Sequence, residues 1–399
     1  MKPSSPSIAI LTWGLQGGSL ANYTAALTQG LWDAGVRNLY LFYVTNGPGS
    51  HVQIPEGVTL VPLGAGRSRW MPFALACRLR EIQPDFLISV STFINLPAIV
   101  GWLLSGRGKT QLIVSEHSTL SYKVFVEHKD DWKAKLQPPL VRFLYPFASG
   151  LHANSDVVLE DLLTTIGVKM PRTRAIATPN PVNQDAIAQF SQAEPEHPWL
   201  KQKHKPVIVS VARLAQQKNF PLLLRAFAEV RKTVDAQLII LGEGPERSKL
   251  EQLIQELNLT ESVSLPGFTP NPWCHIAAAD MFVLSSEEEP FGLVLVEAMM
   301  CGVPVVATDA LGGGPKNVLG NGRFGILVPP ENLEALTGAM VNLLTNASQG
   351  AQLVSVAKQH CQVFRPKNIA LQWLQFLDHL ASGTCETHSS IAIKESKSS

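Results

Sequence analysis

Strong net charge is missing from this 399-residue chain, in which 33 Lys and Arg balance 32 Asp and Glu. Nucleic acid is therefore not an expected partner, because a phosphate-backbone binder needs a basic excess. Cysteine is scarce and unpatterned. Cys77, Cys274, Cys301, Cys361 and Cys385 have no paired spacing, so neither a zinc site nor a disulfide framework is indicated, and a reducing cytoplasm fits. A secretory signal is lacking too: the apolar stretch 8–12 is too short, and Trp13-Gly-Leu-Gln-Gly-Gly18 breaks it. The one long uncharged run, Phe86 to Gly106, has the length of a membrane span. Ser89, Ser91, Thr92, Asn95 and Pro97 argue instead for a buried strand, a turn and a buried helix.

What is present is a composition of ordinary globular type, with 45% apolar and 16% charged residues, on a chain long enough for two domains. Short apolar runs alternate with amphipathic stretches, the pattern of parallel sheets covered by helices. Strands are expected at 7–12, 39–44, 59–62, 86–90, 111–115, 150–154 and 173–178, with a helix over 20–34 ending at Gly35. The same grammar restarts at 207–212, 236–241, 263–266, 281–284, 303–307 and 325–328, with a helix at 220–230 and a final amphipathic helix around 362–380. Between the halves, Ala193-Glu-Pro-Glu-His-Pro198 and Lys201-Gln-Lys-His-Lys205 are polar and proline-interrupted. The predicted layout is a first α/β domain over 1–190, a linker over 191–205, a second α/β domain over 206–360, a returning helix over 361–382 and a disordered, serine-rich tail over 383–399. Ligands of such sheets bind at the carboxyl ends of the strands.

Charge is uneven along the chain. Residues 1–190 carry 16 Lys and Arg against 12 Asp and Glu, the remainder 17 against 20. Basic residues cluster at Arg67, Arg69, Arg78 and Arg80 beside Trp70 and Phe73, and at Lys123, Lys129, Lys133 and Lys135 near Phe125 and Trp132. Solvated helix faces are the plain reading. Loose peripheral attachment to an anionic membrane surface is the alternative.

The most informative segment is Glu289-Pro-Phe-Gly-Leu-Val-Leu-Val-Glu297, which follows the apolar strand at 281–284 and opens a helix. A carboxylate at the strand's end and a second one about two turns later can face one crevice and suit a polyhydroxylated ligand. Upstream, Arg213 and Lys218 lie between the strand at 207–212 and the helix at 220–230, a ready diphosphate site. Leu238-Ile-Ile-Leu-Gly-Glu-Gly244 is a strand running into a Gly-x-Gly turn, by itself a weak signal. With the run Ser285 to Met299 and Cys301-Gly-Val-Pro-Val-Val-Ala-Thr308, these motifs occur in the order found in the retaining glycosyltransferases of family 4 (glycosyl transferases group 1), which the chain resembles over most of its length.

That resemblance implies the GT-B fold, two Rossmann-like domains facing each other across a cleft. It implies that Arg213 and Lys218 bind the donor diphosphate, that Glu289 meets hydroxyls of the transferred sugar, and that Glu297 meets the nucleotide ribose. The backbone of Phe291, Gly292 and Leu293 would lie against sugar and phosphates. Gly242 and Gly244 would wall the donor site, and Gly267 and Phe268 would shape the base pocket. Gly17 and Gly18 are similar to the family's glycine-rich loop. His117, after a buried strand, is similar to the histidine that contacts the sugar; Glu116 is a weaker candidate. Asn154-Ser155 and Thr178-Pro-Asn-Pro-Val182 match further segments and read as structural. One position departs: in Gly312-Gly-Gly-Pro-Lys-Asn317, Asn317 stands where glutamate is usual.

The implied activity is metal-independent, retaining transfer of a hexose-type sugar from a nucleotide donor, UDP-linked by expectation, to a glycan or lipid-linked hydroxyl. No Asp-x-Asp occurs, and no cofactor or metal is expected. The implied setting is cytoplasmic polysaccharide or lipopolysaccharide biosynthesis, on the inner membrane face if the basic clusters engage lipid. A nucleotide-sugar epimerase on the same architecture and a non-catalytic sugar-nucleotide-binding protein are the rival readings.

Overall fold

The computed structural model describes residues 5–16, 18–49, 52–64 and 68–382. Gly17, Arg67, Cys385 and the predicted tail lie outside the described residues.

Seven strands form the first sheet: β1 (Ile8–Thr12), β2 (Leu39–Tyr43), β3 (Thr59–Pro62), β4 (Phe86–Val90), β5 (Gln111–Glu116), β6 (Gly150–Ala153) and β7 (Ala175–Ala177). All pairs are parallel, in the order β3-β2-β1-β4-β5-β6-β7. Alternation assigns each face. Ile8, Ile10, Leu41 and Ile88 meet Tyr23, Leu27 and Leu31 of helix α1 (Ser19–Asp33). Ala9, Leu11, Phe42 and Leu87 meet the helices α2 (Met71–Ile82), α3 (Thr92–Leu104) and α4 (Gln137–Leu144). The uncharged run thus resolves into β4, a turn at Ser91 with φ 88°, and α3. Among the described residues no helix is long and apolar enough to cross a membrane.

The second sheet repeats the plan with β8 (Val207–Val211), β9 (Gln237–Leu241), β10 (Val263–Gly267), β11 (Met281–Leu284), β12 (Val305–Thr308) and β13 (Ile326–Val328), in the order β10-β9-β8-β11-β12-β13, again parallel throughout. Helix α6 (Phe220–Val230) covers one face through Phe220, Leu223 and Phe227. Helices α5 (Gln184–Phe190), α7 (Pro272–Ala277) and α8 (Leu293–Met300) cover the other. Strand order reverses between β1 and β4 in the first sheet and between β8 and β11 in the second. The diverging connections leave a crevice at each reversal.

The chain passes between domains earlier than its polar stretch suggested. Val182, Ile187 and Leu200 are buried in the second-domain core, so α5, expected in the first domain, and the short helix Pro198–Lys201, expected in the linker, both belong there. Polarity misled because both segments expose one side while anchoring through single apolar residues. The crossing itself lies at Thr178–Val182, where the Val182 N–H donates to the Phe364 carbonyl, 2.9 Å away, on the returning strand of chain. Helix α9 (Pro366–Ser382) then lies back on the first domain, burying Ile369, Trp373, Phe376 and Leu377 beside α1.

The α1–α9 contact sets a sharp steric test. A Cβ at Gly30 would come within 2.1 Å of the Pro366 carbonyl oxygen, whereas one at Gly338, in the helix Leu333–Thr345, meets nothing within 4 Å. Gly30→Ala should lower stability by about 1–3 kcal/mol, and Gly338→Ala should raise it by up to about 1 kcal/mol. Chemical denaturation of both variants decides; equal stabilisation by the two would refute the close packing.

Candidate active site at the strand-order reversals

Three loops stack at the carboxyl ends of β8, β9 and β10. Leu214 N–H donates to Glu243 O at 2.9 Å, and Gly242 N–H donates to Gly267 O at 2.9 Å. Any side chain would break this stack: a Cβ at Gly242 would sit 1.9 Å from Ala212 O, and one at Gly244 2.3 Å from Leu214 O. Gly242 and Gly244 thus hold the wall by allowing backbone to touch backbone. Phe268 stands 76% exposed at the tip of the third loop. Arg213 is exposed on the first, with no side-chain partner among the described residues.

Lys218 ends a short turn, and Asn219, in the left-handed region with φ 45°, caps α6 by accepting from Leu222 N–H. This loop is tied to the one after β11: Glu287 N–H donates to Gln217 O at 2.8 Å, and Ser285 Oγ to Lys218 O at 2.9 Å. The result is an ion pair across the reversal, Lys218 Nζ to Glu289 Oε2 at 2.6 Å, with both side chains largely buried. Glu289 Oε1 accepts from Gly292 N–H at 3.2 Å, so one carboxylate serves the cation and the entrance of α8 together. Gly292 has φ 83°, a backbone state that favours glycine. The Phe291 ring packs edge-on against Phe364. Behind the loop, Gly314 N–H donates to Glu289 O at 3.0 Å, and a Cβ there would sit 2.4 Å from that oxygen. Asn317 is exposed on the helix Gly314–Val318.

Glu297 is separate from this pair. With Leu293, one turn earlier, it lines a pocket completed by Trp273 and, from the first domain, Asn22, Val52 and Gln53. Burial pushes its carboxyl up to about 7, against the pull of the Trp273 N–H. Glu288 escaped the sequence reading. It is 8% exposed and raised to about 7 by burial and by the charge of Glu289, with Thr119 and Lys218 opposing. A run of three glutamates gives no hint of which one faces the opposite domain.

On the first domain, Gly18 opens α1 with φ 89° and open space at its Cβ position. His117 follows β5, packs edge-on against Tyr23 at 4.2 Å between centroids, and shares a hydrogen bond with Ser115 Oγ through Nε2 at 2.9 Å. Ser115 Oγ also meets His152 Nδ1 at 2.7 Å, and His152 Nε2 meets Thr178 Oγ1 at 2.8 Å. Burial lowers His117 to about 3, so its imidazole is neutral at ordinary pH. Asn154 Oδ1 is buried without a hydrogen-bond partner among the described residues, while Thr119 lies beside Glu288 and Asn180 beside His117, each near enough to influence its neighbour's titration. They follow β5, β6 and β7 in turn, polar groups at the carboxyl ends of three adjacent strands. Asn154 and Asn180 read as structural from sequence, because nothing local marks an unsatisfied oxygen. Glu116 goes the other way: it is fully buried and accepts from Thr92 Oγ1 at 2.6 Å, Asn95 Nδ2 at 2.8 Å and the Tyr145 hydroxyl, a core brace rather than a cleft residue.

The two halves meet across this space. Gln217 Nε2 approaches Glu127 Oε1 at 3.5 Å, and a Cβ at Gly313 would reach 2.8 Å from Val157 Cγ2. Among the described residues no group of three or more His, Cys, Asp or Glu is arranged to hold a metal ion.

Both halves of the chain are similar to known proteins. Residues 18–181 match the glycosyl transferase 4-like domain and residues 192–360 the glycosyl transferases group 1 family. The N-acetylgalactosamine-N,N'-diacetylbacillosaminyl-diphospho-undecaprenol 4-alpha-N-acetylgalactosaminyltransferase of Campylobacter jejuni is 31% identical over 302 residues, 75% of this chain and 78% of that protein. The 2-deoxystreptamine N-acetyl-D-glucosaminyltransferase of Niallia circulans is 30% identical over 37% of this chain but only 39% of its own length. Among solved structures, HepE of Anabaena in complex with UDP superposes with a TM-score of 0.70 at 20% identity, covering 93% of this chain and 99% of that one.

Raised carboxyls make a pH-dependent signature. Glu297 titrates near 7 when folded and near 4.5 when free, so its stabilising contribution is complete below about 4.5 and lost as pH rises through about 7. Glu297→Gln should therefore gain stability over the parent at pH 8, on the order of 2 kcal/mol, and little or none at pH 4. Parallel denaturation curves at the two pH values, with no differential gain, would refute the raised Glu297 carboxyl. Lys218→Ala leaves the Glu289 carboxylate unpaired and should cut turnover at least about a hundredfold and lower the thermal midpoint clearly, while Glu289→Gln with Lys218→Met should recover most of the midpoint without the turnover.

Proposed function

This chain belongs to the group 1 glycosyltransferases, family 4 of the GT-B fold, and from that premise we propose that it moves a hexose-type unit from a UDP-linked donor to a hydroxyl of a glycan or lipid-linked acceptor, with retention of configuration. The observation that carries this reading is the joining of Lys218, Glu289 and the start of α8 at the reversal between β8 and β11. A cation, a carboxylate and free helix N–H groups there match a sugar diphosphate part by part. HepE was crystallised with UDP, and the Campylobacter relative acts on a diphospho-undecaprenol acceptor; both favour the donor and acceptor classes named.

In the proposed reaction the bond from the anomeric carbon to the diphosphate oxygen breaks, and the acceptor oxygen bonds that carbon on the same face. The acceptor's proton passes to the departing phosphate oxygen. Arg213, Lys218 and the α8 entrance stabilise the charge that develops on the leaving group, without need of a divalent ion. Glu289 orients sugar hydroxyls once the donor draws Lys218 toward phosphate. Neutral His117 and the oxygens of Asn154 and Asn180 offer hydrogen bonds to the sugar or acceptor. Glu297 accepts from the ribose, and closure of the domains keeps water from competing as acceptor.

The test is purified protein with UDP-sugars and lipid-linked or oligosaccharide acceptors, following nucleotide release and the anomeric configuration of the product by NMR. Retention with acceptor-dependent release of UDP is expected. An inverted product refutes the mechanism; sugar interconversion without acceptor favours the epimerase, and nucleotide binding without turnover favours a non-catalytic protein. Donor affinity should also weaken as pH falls below about 7, where Glu297 takes up its proton and loses an acceptor site.

A further inference from the structure

One buried histidine has no role in the reaction proposed above. His152, on β6, is closed to water, and its ring packs on Trp373 of α9 at 4.3 Å between centroids. Ser115, on β5, joins it to His117: the hydroxyl oxygen is 2.7 Å from His152 Nδ1 and 2.9 Å from His117 Nε2. On its other side, His152 Nε2 is 2.8 Å from Thr178 Oγ1, at the start of the crossing between domains. A polar row thus runs from the crossing, through the core of the first domain, to a ring that borders the cleft. Its inner members are fully buried, while His117 is only half-buried. Burial keeps both rings neutral. His117 falls to about 3, and His152, with His117 beside it, lies well below the ordinary imidazole range.

A neutral imidazole carries one proton, and Ser115 has one to give. The row can therefore run in two directions. In one, Thr178 donates to His152 Nε2, His152 donates from Nδ1 to Ser115, and Ser115 donates to His117 Nε2. In the other, every proton is reversed. Groups of fixed polarity choose between them. The Thr178 carbonyl also reaches the His152 ring and favours a proton on it. A carbonyl only accepts, and Thr178 lies on the Nε2 side, so Nε2 bears the proton and Nδ1 accepts from Ser115. At the other end, the Tyr23 hydroxyl lies beside both Ser115 and the Trp373 indole. An indole N–H only donates, which turns the Tyr23 proton toward Ser115. Ser115 then accepts from Tyr23 and from His117 Nε2–H, and gives its own proton to His152. His117 is left with a bare Nδ1. Asn180, beside that ring, presents either end of its amide by rotation, so it follows the tautomer and does not set it.

We propose that His152 is a positioning residue: acting through Ser115, it holds His117 in the Nε2–H form, so that His117 Nδ1 accepts a hydrogen bond from a substrate hydroxyl instead of donating one. The proposal deepens the functional reading above and rests on it for the hydroxyl that His117 meets. With no acceptor in place of His152, Ser115 turns its proton to His117 Nε2. The proton of that ring then sits on Nδ1, where it opposes the hydroxyl hydrogen. A ring in the right place with the wrong tautomer is a poor partner.

The test reads the tautomers directly, from long-range proton–nitrogen correlation spectra of the full chain isotope-labelled at histidine, each ring being identified by its loss on substitution. Nε2–H is expected at both His117 and His152, and this parent spectrum decides whether or not any variant folds. His152→Phe keeps a ring on Trp373 but accepts nothing. It should move the His117 proton to Nδ1 and cut kcat at least about tenfold, with the KM for the nucleotide sugar changed less than about twofold. His152→Asn, whose side-chain oxygen can accept from Ser115, should restore the Nε2–H form and most of the turnover. The proposal is overturned by Nδ1–H at His117 in the parent, or by an unchanged His117 tautomer in His152→Phe. It is also overturned if His152→Asn loses as much turnover as His152→Phe, which would make the residue one of packing alone. The expected tautomers in a chain that transfers no sugar sink the functional reading and leave the row standing; transfer by a chain with His117 in the Nδ1–H form does the reverse.

Discussion

Lys218 and Glu289 hold each other at 2.6 Å across the point where the second sheet reverses its strand order, and much of the surrounding structure serves that contact. Each residue ends a loop that is stiffened by backbone hydrogen bonds to the next: Glu287 to Gln217, Glu289 to Leu311, Gly314 to Glu289. An ion pair mostly out of water is costly to leave half made. The unliganded site thus keeps its cation and its carboxylate neutralised by one another. In the proposed reaction an incoming diphosphate competes for Lys218 and frees Glu289 for sugar hydroxyls, which links donor binding to assembly of the site.

Other ionisable groups near the cleft sit in a low-polarity setting that suppresses charge. Glu288 and Glu297 are raised to about 7, and His117 is lowered to about 3. The same desolvation that mutes these groups strengthens the remaining charges on a ligand's phosphates. The polar groups that follow β5, β6 and β7 sit in the same setting, buried with hydrogen-bonding capacity to spare.

Position on the fold joins these features. The covalent path crosses between domains twice, at Thr178–Val182 and again before α9, and the two crossings are hydrogen-bonded together at Val182 and Phe364. Paired crossings of this kind form a hinge that permits closure while limiting sliding. The first-domain helices thereby keep one face toward the cleft loops.

Several things were decided by the order of residues alone. Runs such as Ile8–Thr12 and Met281–Leu284 are apolar on both faces and short, so they become parallel strands wherever helices can cover them. The helix 220–230 was legible for the same reason: local periodicity carries it. Spacing put Glu289 and Glu297 at the two ends of one segment, but the fold gives them different surroundings, Lys218 for the first and the Trp273 pocket for the second. Three matters needed the folded chain. The segment 184–201 sits on the second domain because Ile187 and Leu200 find a core there, and composition cannot say which core an isolated apolar residue will join. Glu116, adjacent to His117, turns inward to Thr92, Asn95 and Tyr145 because successive residues at a strand's end point to opposite sides. Glu288, Asn154 and Asn180 reach the cleft through loops from different strands, and only packing tells which oxygens are left without partners. Local pattern decides what an element is; burial, which sums over distant segments, decides what each of its side chains faces.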